Sequence, residues 1–148
     1  MNLMPLDKIL EEWDKDATID RLHPHHEITQ IPILHAKYCK QLILHSVAVK
    51  TKRLDLDEIK RTKLLYYRGK LSKEELQEKK WEQWDMTVLK PDMDTFIDGD
   101  ADVIAFKKKI ALNEEAVNLC TAICKELTSR TYQIRSFMDW EKFKEGTK

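Results

Sequence analysis

The chain has 148 residues, a length that suits one domain with a substantial core. Charged residues make up 35% of it, with only three Gly and four Pro, which favours helices with long solvated faces over a β-rich fold. The 42% apolar content argues against global disorder. Since the formal net charge is zero, a uniformly basic nucleic-acid coat is excluded, and any binding of nucleic acid must be local.

Cysteine usage and apolar runs bear on the compartment. Cys39, Cys120 and Cys124 are an odd number without paired spacing. The first residues do not resemble a signal peptide, because Pro5 and several acids interrupt any apolar run. No apolar run approaches the roughly 20 residues needed to cross a bilayer. We therefore predict a cytosolic protein with reduced thiols and no membrane partner.

The first predicted element is a short amphipathic helix with Pro5 in its first turn and a break between Asp16 and Pro24. The segment from His23 to His26 follows, and a metal site would be sought there. Adjacent histidines point to different faces of a helix, and no cysteine or carboxylate set completes a familiar ligand spacing. We therefore expect no metal site.

A long helix is predicted from the apolar repeat that runs from Glu27 to Tyr66 in alternating steps of three and four. This repeat is typical of coiled-coil-like packing. Pro32 either bends the first turns or marks the start, and Gly69 is a natural stop. Lys63 falls on the apolar stripe, where a lysine is costly unless its ammonium reaches water or an anion.

The middle of the chain carries weaker signals. Ser72 to Glu75 has the S-x-x-E capping-box form, which predicts a helix that starts there and continues through Trp84. Trp81 and Trp84 are expected in the core or a subunit interface rather than stacked on bases. Met86 to Asp98 is interpreted as a connection with short extended pieces. The aspartates from Asp98 to Asp102 do not fit a calcium loop and are expected to cap the next helix.

A second long helix is predicted from about Asp100 to Trp140 and Phe143, and the residues from Lys142 to Lys148 are expected to fray. Asn113 lies in its seam, where a polar residue fixes register and subunit number. The seam residues that we assign to oligomerisation are Val117, Cys120, Cys124, Leu127, Ile134 and Met138.

Positive charge is concentrated from Lys50 to Lys70, where eight Lys or Arg face three acids. At the end of a long patterned helix this cluster is presented at a fixed geometry. We hypothesise that it binds nucleic-acid backbone, with Tyr67 as the better candidate to stack on unpaired bases and Tyr66 in a packing role. Without further support, a solvated helix face is the commoner explanation of such a charge run.

Several short motifs also occur in an order that resembles a known family. They are the stretch from Leu64 to Gly69, preceded by Arg61 and Lys63, and the stretch from Ser129 to Arg135, followed by Asp139 and by Lys142 to Gly146. Together they resemble the UvsY recombination mediators of tailed bacteriophages over most of the chain. The segment from Lys70 to Trp84 is where this sequence departs from the family.

The resemblance implies a non-catalytic homo-oligomer, a hexamer or heptamer, that binds single-stranded DNA without a cofactor. In the family, such an assembly helps to load a RecA-like recombinase onto strands covered by the single-stranded-DNA-binding protein, in the cytoplasm of the infected bacterial host. The family's basic pair is matched by Arg61 and Lys63, with the two cation types exchanged, which matters most if one makes a bidentate contact. The residues that we predict for nucleic-acid binding are Lys60, Arg61, Lys63, Tyr67, Arg68 and Lys70.

We therefore predict an all-α protein with two long heptad-patterned helices plus shorter helices, oligomerising through coiled-coil-like helix packing. One helical domain, 1–148, would comprise N-terminal helices with the basic segment (1–70), a variable helix and connection (71–99) and a C-terminal oligomerisation segment (100–148). The alternative is a non-enzymatic scaffold or adaptor that binds only protein partners. An enzyme is disfavoured, because the sequence has no glycine-rich phosphate loop, nucleophile–base pair or ligand cluster.

Overall fold

A computed structural model describes residues 2–146 of the chain. Within these residues the helices are α1 (Leu6–Asp16), α2 (Pro24–Tyr67), α3 (Lys73–Lys79), α4 (Met93–Asp98) and α5 (Ala101–Lys144), with a short 3-10 helix, Lys90–Asp92, before α4. The described part contains no strand, so the all-α prediction is confirmed. Because α5 continues to Lys144, the fraying predicted from Lys142 begins too early. The last two residues of the predicted frayed segment, 147 and 148, lie outside the described range.

The two long helices, each of 44 residues, are also confirmed. Pro32 lies inside α2 and does not mark its start. Gly69 stops the helix as predicted: its φ is +68°, its amide donates to the Tyr66 carbonyl, and the Lys70 amide donates to the Leu65 carbonyl. This pair of hydrogen bonds is the Schellman motif, which satisfies the last carbonyls of α2.

Helix α5 begins at an aspartate cap, as the sequence indicates. The Asp100 carboxylate oxygen Oδ1 accepts hydrogen bonds from the amides of Asp102 (2.9 Å) and Val103 (3.3 Å). These bonds satisfy two of the free N–H groups of the first turn and place a negative charge at the positive end of the helix dipole.

Helix α3 begins as predicted and ends earlier. Ser72 Oγ accepts a hydrogen bond from the Glu75 amide (3.2 Å). The helix stops at Lys79 and does not reach Trp84, because Lys80 adopts the left-handed conformation with φ 59°. A lysine carries no sequence signal for that conformation, which is why the predicted extension is wrong.

The second part of the connection before α5, from Lys90 to Asp98, is helical. A 3-10 turn leads into α4, whose Met93 and Ile97 are buried. These two apolar residues are four positions apart, so one face of a short helix buries both. Residues 86–89 carry no helix, and Leu89 has the extended backbone angles φ −70° and ψ 145°, so the predicted connection is helical only from Lys90 onward.

The chain forms two compact units, which we call unit 1 (Met1–Ala48 and Leu112–Lys148) and unit 2 (Val49–Ala111). The core of unit 1 consists of Ile9, Tyr38, Ala116, Cys120, Ile123 and Leu127. The core of unit 2 consists of Tyr67, Met93, Ile97 and Val103, with half-buried apolar side chains around them.

The buried face of α5 in unit 1 differs from the predicted seam at alternate positions. Asn113, Cys120, Leu127 and Ile134 are buried as predicted. At the three positions between them, the sequence predicts Val117, Cys124 and Thr131. The residues that are buried there are Ala116, Ile123 and Arg130. The apolar pattern cannot distinguish Ala116 from Val117 or Ile123 from Cys124, because all four side chains are apolar. It favours Thr131 over Arg130, because arginine is charged.

None of the described helices combines the length and the apolar character that a membrane span requires.

Candidate nucleic-acid interface

The predicted basic segment forms the last turns of α2 in unit 2, and part of it is exposed. Arg61 is exposed, as are Arg68 and Lys70 beyond the helix end. Within residues 2–146, no acidic side chain pairs with any of these three. Lys60 is half-buried, and its Nζ lies 3.5 Å from Asp98 Oδ1.

Lys63, in contrast, is buried, with 4% of its side chain exposed. Its Nζ lies 2.9 Å from Asp102 Oδ2 and 3.1 Å from Asp100 Oδ2. It also lies 3.7 Å from the centroid of the Trp81 ring. Of the two alternatives expected for this ammonium, water or an anion, the structure shows the anion, and both carboxylates belong to the chain itself.

The tyrosine pair is packed inside unit 2. Tyr67 is buried, donates a hydrogen bond from its hydroxyl to Asp100 Oδ2 (2.6 Å), and meets the Trp84 ring edge-on at 4.8 Å. Tyr66 is half-buried and donates from its hydroxyl to the Glu82 carbonyl (2.7 Å). The packing role expected for Tyr66 is present, but Tyr67 is covered more deeply than Tyr66, so its ring is not available for stacking in this conformation.

The segment from Lys70 to Trp84 supplies much of this cover. Trp81 lies over the Lys63 ammonium and 5.2 Å from the Tyr66 ring, and Trp84 packs against the core of unit 2. Trp84 is half-buried on this core, in agreement with the expectation that it lies in the core or a subunit interface. Because this segment is where the sequence departs from the family resemblance, the resemblance could not reveal that Lys63 is enclosed.

Asp100 is the centre of the buried polar cluster in unit 2. Burial acts to raise the pKa of its carboxyl, but hydrogen bonds from Tyr67, Lys63 and the Val103 amide outweigh burial, and the pKa is lowered. Burial raises the pKa of Tyr67, and its hydrogen bond to the Asp100 carboxylate raises it further. At neutral pH the cluster therefore holds an ionised carboxylate between a phenol and an ammonium.

We predict that the contribution of Tyr67 to stability disappears at alkaline pH. Because its folded pKa is raised above the ordinary value of 10.0, this stabilisation is complete below about pH 10 and is lost as the pH rises further. At neutral pH, Tyr67→Phe should lower the free energy of unfolding by about 1.5–3 kcal/mol, since it removes a hydrogen bond to a charged group. Urea unfolding at several pH values should show the difference from wild type shrinking above about pH 10. A constant difference across that range would contradict the assignment.

Sequence analysis missed a second basic group in unit 2. Lys107, Lys108 and Lys109 are exposed near the start of α5. Asp98 links Lys107 to α2, because its Oδ1 is 3.4 Å from Lys107 Nζ and 3.5 Å from Lys60 Nζ of α2. The available signal was the run of three lysines, which the apolar repeat around it obscured.

The residues predicted for oligomerisation lie in unit 1 and fall into two groups. Cys120, Leu127 and Ile134 are buried within the chain's own fold. The half-buried group is Val117, Cys124 and Met138. Burial raises the pKa of Cys120 to about 11, so this side chain remains a thiol and packs as a small apolar group.

Polar groups of unit 1 find partners inside the chain. Asn113 Nδ2 lies 2.9 Å from Nδ1 of the buried His45, whose Nε2 lies 2.7 Å from the Met4 carbonyl. The exposed His23 pairs with Asp20. Within residues 2–146, no three His, Cys, Asp or Glu side chains are arranged to hold a metal ion.

Known proteins share this sequence pattern and fold. Residues 12–147 match the family model described as "Recombination, repair and ssDNA binding protein UvsY", whereas no curated protein sequence matches the chain. A crystal structure of the bacteriophage T4 recombination mediator protein UvsY in lattice type II is 20% identical, with a TM-score of 0.78 over 96% of this chain and 98% of that one. The lattice type IV structure is 19% identical, with a TM-score of 0.78 over 95% and 99%. Because the family model matches nearly the whole sequence, the chain belongs to the UvsY family.

Proposed function

We propose that this protein is a recombination mediator that binds single-stranded DNA as a ring-like homo-oligomer and helps to load a RecA-like recombinase onto DNA covered by single-stranded-DNA-binding protein. Membership of the UvsY family supports the mediator role. The observation that carries DNA binding is the exposed basic end of α2, where Arg61, Arg68 and Lys70 have no acidic partner in the described part of the chain.

Binding through this surface is electrostatic. Each phosphate that is neutralised releases counterions, which gives a slope of about −0.7 per phosphate in a plot of log affinity against log salt for single strands. One subunit offers few such contacts. An oligomer repeats them and raises avidity by about 10² to 10⁴ without new contacts. DNA held by many weak contacts remains displaceable by a recombinase.

The contacts in unit 2 support two roles within the predicted set. Arg61, Arg68 and Lys70 are exposed and Lys60 is half-buried, and we propose that these four side chains meet phosphate. Lys63 and Tyr67 are enclosed, and both bind Asp100, which caps α5. We propose that these two residues hold the basic end of α2 against the start of α5 and so fix the position of the surface cations.

Arg61→Ala tests the DNA-binding surface. We expect affinity for a fluorescent oligonucleotide to fall by at least about 3-fold and the salt slope to flatten by about 0.7 for each subunit that contacts the strand, because each such subunit loses one phosphate contact. Fluorescence anisotropy at several salt concentrations measures both. Arg135→Ala is the matched control, since Arg135 is an exposed arginine of α5 in unit 1. Equal affinities for the two variants would remove Arg61 from the proposed DNA-binding surface, and the absence of salt-dependent binding by the wild type would favour the protein-only adaptor.

Assembly is proposed to involve α5 and to leave the core of each subunit intact. Since Cys120, Leu127 and Ile134 serve the chain's own fold, the half-buried residues of the predicted set are the better candidates for subunit contacts. We expect light scattering to give six or seven times the chain mass of 17.6 kDa, with and without DNA. A monomer at micromolar concentration would remove the avidity on which the mechanism depends.

A further inference from the structure

We propose that the DNA-binding surface of unit 2 continues from α2 onto α5, where Lys107, Lys108 and Lys109 contact the phosphates of the same single strand. This inference rests on the proposed function and adds a binding site to it. Neither the predicted residues nor the family resemblance includes these lysines.

The first observation is the carboxylate that α2 and α5 share. Asp98 Oδ1 lies 3.5 Å from Lys60 Nζ and 3.4 Å from Lys107 Nζ. The two ammonium groups are therefore no more than about 7 Å apart, and all three side chains are partly exposed. A strand bound at Lys60 thus passes within reach of α5.

The second observation is the absence of acids around the three lysines on their own helix. A solvated charged helix face is ordinarily laced with pairs three or four residues apart. Around these lysines every such position is uncharged: Val103, Ile104, Ala105, Phe106, Ile110, Ala111, Leu112 and Asn113. Lys108 and Lys109, moreover, have no ion pair in the described part of the chain. Their charges are available to an external anion.

Helix geometry explains how the group is presented. Val103 and Ile110 are buried and define the inward face of this part of α5. Successive residues are about 100° apart around a helix, so Lys107 and Lys109 flank the buried face and Lys108 points away from it. Lys107 lies beside Asp98, and Lys108 is its neighbour on the outer surface. Lys107 is thus next to the Asp98 carboxylate, and Lys108 and Lys109 extend the positive charge around α5.

Asp98 is a competitor of DNA for these cations. The hydrogen bond from Lys107 lowers the pKa of the Asp98 carboxyl, and the charges of Lys107 and Lys60 lower it further, so the group is ionised at neutral pH. A phosphate that approaches Lys60 or Lys107 must displace this carboxylate. Removing the carboxylate therefore strengthens binding, whereas removing the free lysines weakens it.

Two variants of the full-length protein test the inference by anisotropy with a labelled oligo-dT at several salt concentrations. Lys108→Gln with Lys109→Gln should weaken binding by at least about 3-fold and flatten the salt slope by about 1.4 for each subunit that contacts the strand, the value for two phosphates. Asp98→Asn should strengthen binding several-fold and steepen the slope. The matched control is Lys40→Gln with Lys125→Gln, two exposed lysines of unit 1 with the same change in charge. Circular dichroism and light scattering should show unchanged folding and mass.

The outcomes separate this inference from the proposed function. If the wild-type protein does not bind single strands in a salt-dependent way, both fail. If it binds and Arg61→Ala weakens it, but the double lysine variant matches its control, the extension onto α5 is overturned and the proposed function stands. Weaker binding of the oligonucleotide by Asp98→Asn would show that the Asp98 carboxylate does not compete with phosphate for Lys60 and Lys107. Unchanged DNA binding, together with lost affinity for the recombinase or the single-stranded-DNA-binding protein, would assign the lysines to a protein partner instead.

Discussion

Lys63→Met is expected to lower the free energy of unfolding by about 3–5 kcal/mol, because it leaves Asp100 as a buried charge without its ammonium partner. The side chains of Lys63 and Asp100 are 4% and 7% exposed, and their charged atoms are 3.1 Å apart. Methionine keeps most of the apolar stem that packs in unit 2, so lost pairing dominates over lost volume. Urea unfolding followed by far-UV circular dichroism measures the change.

Lys60→Met is the control, three residues earlier on the same helix. Its ammonium lies 3.5 Å from Asp98, with 36% and 56% of the two side chains exposed. Such a pair contributes at most about 1 kcal/mol. Adding Asp100→Asn to Lys63→Met should recover part of the loss, since the unpaired buried charge is then gone. Equal losses in the two lysine variants, or no recovery, would show that the buried pair is not what stabilises unit 2.

The parts of the fold that the sequence predicts are those set by local signals. The two long helices follow from an apolar repeat, the end of α2 from Gly69, and the start of α5 from Asp100, and each acts within a few residues. The end of α3 follows from a left-handed Lys80, which the surrounding contacts must impose because the residue type does not favour it. Local propensity cannot predict such a position.

The candidate site shows the same division. The stripe predicts that the Lys63 ammonium reaches either water or an anion, and Asp102, its closest partner, is 39 residues away in the sequence. The apolar periodicity does not predict that pairing. It also does not predict that the Trp81 ring lies over the Lys63 ammonium. The sequence therefore identifies the basic segment and its helix correctly, although Arg68 and Lys70 lie beyond the helix end. Which of its cations face solvent is decided by contacts between distant residues.

Arg130 is the clearest case of a residue that the pattern hides, because a charged side chain in an amphipathic helix is ordinarily assigned to the outside. It is 2% exposed. Its Nη1 donates to the Asp16 carbonyl and its Nη2 to the Ala17 carbonyl, both at 2.9 Å, and its guanidinium lies 5.6 Å from the Trp13 ring centroid. Carbonyls at the end of α1 have no partner within the helix, and a cation there also complements the helix dipole.

Arg130→Met should therefore lower the free energy of unfolding by about 1.5–3 kcal/mol, since two carbonyls at the end of α1 lose charge-assisted hydrogen bonds in a partly buried setting. Arg135→Met, an exposed arginine on the same helix, should change it by less than about 0.5 kcal/mol. Arg130→Lys should fall between them, because it keeps the charge and loses the two-pronged donor geometry. If urea unfolds Arg130→Met and Arg135→Met at the same concentration, the Arg130 hydrogen bonds do not stabilise α1 in unit 1, and its other contacts with Tyr38, Lys37 and the apolar core are sufficient. If Arg130→Lys is as stable as wild type, the charge at the helix end is sufficient and the paired hydrogen bonds add nothing.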